Sequence, residues 1–389
     1  MKLLRLVLAL TACVLSLFRA EPAQGQSPAS QWTTARQWNK GVVGWNLGNQ
    51  LECSAPGQDG ESMQIGCPDG SINAETAWGN PKVTENTIKA VKEAGFNAIR
   101  IPVRWQCHIL NEQAMIVDPE WVARVKEVVD WCLKYDLKVI LNTHHEKWLE
   151  GRPTHQYQEE NCRKLALLWL QIATEFEGYD ARVAFAGTNE VHVRDNWGAP
   201  TAENLEVQNA YNQTFVDMVR STGGNNARRH LIVQTYVCNP AFGLDGQLIV
   251  PQDSPRNGNR FMSVEFHFYD PWDYCGDGTV DVWNDVARMT GMFDRAAAEW
   301  STQGLGVVIG EWGVTDHGKK LEDVRANTTL YCKTYVSEAL KRGFSSFVWD
   351  NNSFGQGADK FGIFNRFKAM KLQAPWVLNG IMEAKNEQQ

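Results

Sequence analysis

Two short apolar runs in the sequence each end on a glutamate. Residues 307–310 are followed by Glu311, and residues 183–188 are followed by Asn189 and Glu190. A buried strand of a parallel sheet is typically a continuous apolar run, and an acid at its carboxyl end is poorly placed for a core residue. The two runs therefore predict a pair of carboxylates, delivered by two strands to one cleft.

The elements that must position these acids alternate along the chain. From residue 38 onward, short apolar runs alternate with segments of helical periodicity, which favours parallel βαβ units. Eight strand–helix repeats can be counted, as a (β/α)8 barrel requires. A doubly wound open sheet is the alternative, but the GxGxxG motif typical of its first turn does not follow the first strand. We therefore predict an α/β fold, a single (β/α)8 TIM barrel that forms one catalytic domain over residues 26–389. The predicted strands cover residues 41–47, 96–103, 138–143, 183–188, 230–236, 261–268, 307–311 and 345–348.

Seven of the eight predicted strand ends carry a polar or aromatic side chain. A barrel of this kind brings the carboxyl ends of its strands to one face, where its chemistry is found. These groups should therefore converge on one cleft although they lie far apart in sequence. They are Asn46, Arg100, His144, Glu190, His267 with Tyr269, Glu311 and Trp349.

Two converging glutamates suit the cleavage of a glycosidic bond, in which one acid protonates the leaving oxygen and the other meets an oxocarbenium-like centre. Arg100 and the Tyr269 hydroxyl would hold Glu311 ionised, which makes Glu311 the candidate nucleophile. Glu190 is then the candidate acid/base, because each carboxylate raises the proton affinity of the other. Asn189 would reach the sugar 2-hydroxyl. The two carboxyl groups are expected about 5–5.5 Å apart.

Longer motifs around these residues resemble glycoside hydrolase family 5. The motifs are AGFNAIRIPV at 94–103, NTHHE at 142–146, NE at 189–190, HFYDP at 267–271 and IGEWG at 309–313. GWNLGN at 44–49 and ETAWGNP at 75–81 are similar to its endoglucanase and xyloglucanase subgroup. The resemblance covers about residues 38–385. It implies endo-acting, retaining cleavage of β-1,4-glucan, with Glu190 as acid/base, Glu311 as nucleophile, and support from Arg100, His144, Asn189, His267, Tyr269 and Trp349.

The substrate preference stays open at this stage. Aromatic rings suit stacking on sugars, and the candidate substrate-binding residues are Asn46, Trp78, His145, Trp272, Trp312 and Trp349. The family usually has proline after the acid/base, whereas this chain has Val191 and then His192, which changes the loop after the fourth strand. Xyloglucan, mixed-linkage glucan, mannan and xylan remain alternatives to cellulose-type glucan, because specificity depends on loops that a barrel varies freely.

Two other functional classes fit parts of the sequence. His144, His145 and Glu146 suit a metal ion, but adjacent residues of a strand point to opposite faces, so no metal or other cofactor is expected. A non-catalytic glycan-binding barrel would keep the aromatic platforms and would need neither glutamate, yet both glutamates are present.

Composition limits the partners. The chain has 389 residues, 43% of them hydrophobic, and a formal net charge of −7. This acidic balance argues against a nucleic-acid partner. A β-glucan polysaccharide or oligosaccharide is the expected partner; no protein partner is implied, and a monomer is expected.

The N-terminus is typical of an export signal. In residues 1–25, Lys2 and Arg5 precede a mostly apolar stretch, and residues 23–25 offer small residues for cleavage. We therefore predict a secreted protein, extracellular or periplasmic, with lipid attachment at Cys13 as the alternative. In an oxidising compartment, Cys53 and Cys67 could form a disulfide across a Gly-rich loop.

Overall fold

The structure, a computed structural model, describes residues 32–54, 72–316 and 322–388. The predicted export signal, Cys13 and Cys67 lie outside these ranges, so the predictions that rest on them stay predictions. Among the described helices, none combines the length and apolar character needed to cross a membrane.

Eight parallel strands close into a barrel in which every strand pairs with its neighbours in chain order and β1 pairs with β8. The predicted (β/α)8 barrel is therefore confirmed, and the strand ends differ from the predicted ones by up to two residues, with the first six strands shorter and the last two longer than predicted. They are β1 Val43–Leu47, β2 Ala98–Ile101, β3 Lys138–Asn142, β4 Val183–Ala186, β5 Leu231–Gln234, β6 Met262–His267, β7 Gly306–Trp312 and β8 Ser345–Asp350. Two small antiparallel hairpins, Ile109–Asn111 with Ile116–Val117 and Phe364–Asn365 with Lys371–Leu372, lie outside the barrel sheet.

The helices follow the strands with one exception. They are α1 Ala35–Asn39, α2 Glu85–Glu93, α3 Pro119–Lys134, α4 Lys147–Glu150, α5 His155–Glu175, α6 Ala202–Ser221, α7 Trp272–Cys275, α8 Val286–Trp300, α9 Glu322–Lys341 and α10 Pro375–Glu387. The connection from β5 to β6, all of which is described, contains only the 3₁₀ turns Tyr236–Cys238 and Pro240–Phe242. The prediction of eight full strand–helix repeats is therefore wrong at the fifth, where Pro240 and the glycines that follow do not sustain a helix.

The barrel is filled and closed at its amino-terminal end. Inward-facing Ala98, Ile140, Ile232 and Val308 form a small apolar cluster that also includes Trp38 of α1. A larger core lies between the outside of the sheet and the surrounding helices. Because these apolar side chains fill the lumen, the inward-facing polar groups that could meet a substrate lie near the carboxyl ends of the strands.

Candidate active site

Arg100 forms the floor of the candidate site. It is fully buried and donates hydrogen bonds to Glu311 Oε1 (2.8 Å), Asn189 Oδ1 (2.8 Å) and Asn46 Oδ1 (3.1 Å). Its Nε lies 3.0 Å from Oε1 of Glu265. Burial by itself lowers the pKa of Arg100, but the charges of Glu265 and Glu311 outweigh burial and raise it. The guanidinium is therefore a permanent positive charge that orients the groups above it.

A β-bulge in β7 turns Glu311 into the site. Ile309 pairs with Phe266, but Glu311 pairs with His267, so β7 has one extra residue over this interval. A bulge re-aims the side chains that follow it, which explains why Glu311 faces the lumen. The Oε2 atom of Glu311 accepts a hydrogen bond from the Tyr269 hydroxyl at 3.2 Å. The carboxylate is thus held from two sides.

Gly310 is required beside this bulge. A Cβ atom at position 310 would lie 1.8 Å from Oε1 of Glu265. Glu265 is fully buried in β6 and accepts a hydrogen bond from Gln234 Nε2 at 2.8 Å. Any side chain at position 310 would therefore displace the carboxylate that balances the charge of Arg100.

Glu190 faces Glu311 from the segment after β4. Its backbone has φ of 46°, a left-handed conformation that costs a residue with a Cβ about 1–2 kcal/mol. Its Oε1 lies 2.7 Å from Nδ1 of His267. One carboxylate oxygen of Glu190 and one of Glu311 lie within 4.8 Å of each other. This distance is close to the about 5–5.5 Å of retaining glycosidases and short of the about 6.5–9.5 Å of inverting ones.

His267 determines where the proton of the site resides. Burial by itself lowers the pKa of His267, but Cys238, Glu311 and Glu190 around it raise the pKa well above its usual value. Burial alone raises the pKa of Glu190, and the hydrogen bond and charge of His267 outweigh burial and lower it. For Glu311, burial dominates and the pKa is raised despite His267 and Arg100. These opposite shifts favour a charged imidazole paired with an ionised Glu190, and the two groups titrate as one coupled pair.

His144 and Trp349 lie next to each other, with His144 beside Asn189. Nδ1 of His144 lies 3.1 Å from Asn142 Nδ2, and its Nε2 lies 3.5 Å from Asn189 Nδ2. Burial, with the neighbouring charge of His145, lowers the pKa of His144 well below its usual value. The ring of Trp349 is nearly parallel to the His144 ring, with centroids 6.0 Å apart. A neutral hydrogen-bonding group therefore lies beside a flat apolar platform.

Two exposed tryptophans stand at the rim. Trp78 is 41% exposed, and its ring centroid lies 5.8 Å from that of His145. Trp272 is 50% exposed and lies 6.2 Å from Tyr269. Both rings, together with His145, remain available to a sugar chain, in the positions expected of substrate-binding residues.

Apart from Asn46, the residues of the site lie within the part of the chain that matches a family model. The model is described as cellulase (glycosyl hydrolase family 5), and it matches residues 58–355. The chain belongs to glycosyl hydrolase family 5.

Known cellulases and endoglucanases resemble the chain over most of its length. Cellulase/esterase CelE of Acetivibrio thermocellus is 33% identical over 352 residues, 87% of this chain and 39% of CelE. Endoglucanase A of Clostridium longisporum is 36% identical over 335 residues, 83% of this chain and 60% of that protein. The chain thus spans less than two thirds of the length of either relative. A broad specificity endoglucanase structure from Ruminococcus champanellensis with bound cellotriose has a TM-score of 0.80 and 30% identity, covering 92% of this chain and all of that chain.

Two predicted substrate contacts lie elsewhere in this family 5 barrel. Trp312 is 1% exposed and stacks on Tyr335 of α9 at 4.3 Å, because the residue after the bulge points out of the barrel. Asn46 is fully buried beneath the site, where its amide donates to the carbonyl oxygens of Gly310 and Phe347 at 2.9 and 3.0 Å. Both predictions of substrate contact are therefore wrong. Asn46 instead positions Arg100.

The family 5 site also contains buried residues that sequence reasoning missed. Glu265 and Gln234 form a polar layer under Arg100, and Thr188 donates to Gln234 Oε1 at 2.8 Å. A signal for Glu265 was present, because Glu265 and His267 are two residues apart in an apolar strand and therefore share one face.

A guanidinium lies beside the group of side chains that could hold a cation. Glu190, His267 and Glu311 are the group of described residues whose atoms lie close enough to hold a metal ion. The Arg100 guanidinium, 2.8 Å from Glu311, already neutralises this group. Glu146 of the HHE motif turns away, since its carboxylate accepts the Trp105 amide at 2.6 Å.

Proposed function

We propose that the chain is an endo-acting glycoside hydrolase that cleaves β-1,4-glucan with retention of anomeric configuration. The observation that carries the proposal is the distance of at most 4.8 Å between oxygens of Glu190 and Glu311. Oxygens this close favour the spacing of about 5–5.5 Å between carboxyl groups of retaining glycosidases over the about 6.5–9.5 Å that leaves room for the attacking water molecule of inverting ones.

In the first step, Glu311 attacks the anomeric carbon. The bond from that carbon to the glycosidic oxygen breaks, and Glu190 donates its proton to this oxygen. Arg100 and Tyr269 donate hydrogen bonds to Glu311, so they stabilise its ionised form against the burial that raises its pKa and align the carboxylate for attack. The product is a covalent glycosyl ester of Glu311 and a free chain end.

In the second step, Glu190 acts as a base. It takes a proton from a water molecule, whose oxygen attacks the anomeric carbon and releases the Glu311 carboxylate. Two inversions give net retention. Asn189 is fixed by Arg100 at 2.8 Å, in a position to hydrogen-bond the sugar hydroxyl next to the reacting carbon.

The acid role of Glu190 requires a proton, and the raised pKa of His267 beside the lowered pKa of Glu190 favours that proton on the imidazole before the reaction. Transfer from Nδ1 to Glu190 Oε1 across the 2.7 Å hydrogen bond gives a neutral imidazole and a protonated carboxyl group. The pair then acts as one acid with a single proton, and its apparent pKa belongs to both groups.

Substrate preference depends on the aromatic side chains in and around the site. Trp78, Trp272 and Trp349 supply apolar faces of the kind that pack on pyranose rings. The names of the relatives favour cellulose-type glucan, and the broad specificity of the cellotriose-bound structure keeps xyloglucan and mixed-linkage glucan as alternatives. Mannan and xylan are further alternatives.

The proposal includes export after removal of residues 1–25 and action as a monomer. Support for export comes from the sequence pattern alone. N-terminal sequencing of the protein from the culture medium tests it, and a lipid-modified Cys13 at the new N-terminus would identify the lipoprotein alternative.

The function is tested by measuring reducing ends released from carboxymethyl cellulose, xyloglucan, mixed-linkage glucan, mannan and xylan. The expected result is rapid turnover of at least one β-1,4-glucan, with a fall in viscosity ahead of sugar release because the cuts are internal. Binding without turnover on every polymer would instead support a glycan-binding barrel.

A further inference from the structure

The turn after β5 holds the loop that carries Glu190. We call residues 236–238 the β5 turn and residues 190–193 the acid loop. The Glu190 amide donates to Sγ of Cys238 at 3.4 Å, the Val237 amide donates to the Val191 carbonyl at 2.9 Å, and the Val193 amide donates to the Tyr236 hydroxyl at 3.0 Å. Three hydrogen bonds therefore connect two short segments that are far apart in sequence.

Glu190 depends on such support because its own backbone is strained. Its φ of 46° is unfavourable for a residue with a Cβ atom, and the next residue, Val191, does not fix the chain direction as a proline would. The Glu190 carbonyl is held by Nδ1 of His192, and its amide is held by Cys238. Cys238 is thus the side chain that holds the amide of the acid/base.

The thiol also contacts the proton partner of Glu190. Cys238 is fully buried and hydrogen-bonds to the side chain of His267. Burial raises the pKa of the thiol to about 11, so it is neutral at the pH of catalysis. Val237 and Cys238 both have left-handed φ values, 49° and 52°, so the turn that presents this sulfur to the Glu190 amide is itself strained.

From these contacts we infer that Cys238 is a positioning residue for acid/base catalysis, one that fixes the Glu190 amide and the His267 ring so that the carboxylate and imidazole meet. The inference rests on the proposed acid/base role of Glu190. The sulfur of Cys238 touches neither substrate nor reacting atoms. It acts through the geometry of the pair.

The experiment compares substrates that need protonation of the leaving group with substrates that do not. The dinitrophenolate group of a dinitrophenyl β-cellobioside leaves as an anion and needs no protonation. The kcat/KM for this substrate therefore reports the attack by Glu311 without acid assistance from Glu190. In Cys238→Ala we expect kcat/KM on β-glucan to fall about 10-fold, a fraction of the 10²–10⁴-fold that a general acid supplies, while kcat/KM on the aryl glycoside stays within about 2-fold. Cys238→Ser, whose hydroxyl oxygen can also accept the Glu190 amide, should recover most of the loss.

Controls separate positioning from general damage. Cys132→Ala removes an equally buried thiol on α3 and should change neither rate. Glu190→Gln must itself lose more activity on β-glucan than on the aryl glycoside; equal losses there would overturn the proposed function rather than the role of Cys238. Equal losses on both substrates in Cys238→Ala, or no loss, would overturn the inference. If Cys238→Ala does not fold, the serine variant decides: a folded Cys238→Ser with equal losses on both substrates also overturns it.

Discussion

Nδ1 of His267 lies 2.7 Å from Oε1 of Glu190, close enough for the two groups to exchange one proton. The imidazole also faces Glu311, with Nε2 3.6 Å from its Oε1. The proton partner of the acid is therefore next to both carboxylates. This arrangement explains how Glu190 can act as an acid although its own pKa is lowered by its neighbour.

Replacement of His267 should shift the pH profile. The pKa of His267 is raised, so the shared proton is lost only as pH rises well above the ordinary imidazole range. In His267→Asn the proton has only the carboxyl group to bind, and the alkaline limb of kcat/KM should move to lower pH. Initial rates on β-glucan between pH 4 and 10 check this expectation. An unchanged or higher alkaline limb would show that the pair does not share the catalytic proton.

Removal of the Glu190 carboxyl group should slow the two kinds of substrate to different extents, depending on their leaving group. Glu190→Ala should lower kcat/KM on β-glucan by about 10²–10⁴-fold, the usual contribution of a general acid. The loss on dinitrophenyl β-cellobioside should be much smaller in the same preparation, because that leaving group departs as an anion. Steady-state kinetics on the two substrates provides the test, and a substrate-independent loss would argue against the acid role.

The buried charge of Glu265 should matter for stability as well as for activity. Glu265→Gln removes the carboxylate 3.0 Å from Arg100 Nε and leaves part of the guanidinium charge uncompensated. Breaking a buried ion pair on one side costs on the order of 3 kcal/mol in the free energy of unfolding. Urea denaturation measures this cost, with Glu206→Gln on the surface of α6 as control. A loss no larger than that of the control would mean that Asn46, Asn189 and Glu311 alone hold Arg100.

His230 should make the fold sensitive to acid. It is buried at the amino-terminal end of the barrel, with Nε2 2.6 Å from Ser263 Oγ, and burial lowers its pKa to about 3. The unfolded chain binds a proton below pH 6.5 while the folded chain does not, so stability falls as pH falls from 6.5 towards 3, by up to about 1.4 kcal/mol per pH unit.

His230→Gln removes this titration. Its free energy of unfolding should therefore decline less steeply between pH 6.5 and 4 than that of the parent chain. The comparison is made by urea denaturation at several pH values, and the exposed His155→Gln serves as control. If the free energy of unfolding declined equally steeply in His230→Gln and in the parent chain, the lowered pKa of His230 would be contradicted.

Sequence reasoning recovered the parts of the molecule that leave a local signal. Buried parallel strands are continuous apolar runs, so β1 to β8 and the groups at their ends could be predicted. Trp312 was misassigned because a bulge of one residue reverses the alternation of side chains, and no local pattern marks a bulge beyond Gly310. The missing helix after β5 left a local signal in Pro240 and the glycines after it, which the count of repeats overlooked. The Cys238 contact depends on packing between segments more than forty residues apart, which single-sequence periodicity does not report.

The configuration of the azide product tests the central claim most directly. With an activated aryl β-cellobioside and sodium azide, Glu311→Ala should regain activity and yield the α-glycosyl azide, because azide replaces the missing nucleophile in one inversion. Glu190→Ala under the same conditions should yield the β-glycosyl azide, because azide attacks the intermediate on Glu311. Proton NMR of the anomeric centre distinguishes the two products. The α-azide from Glu311→Ala and the β-azide from Glu190→Ala are the predicted results, and the reverse assignment would contradict the account.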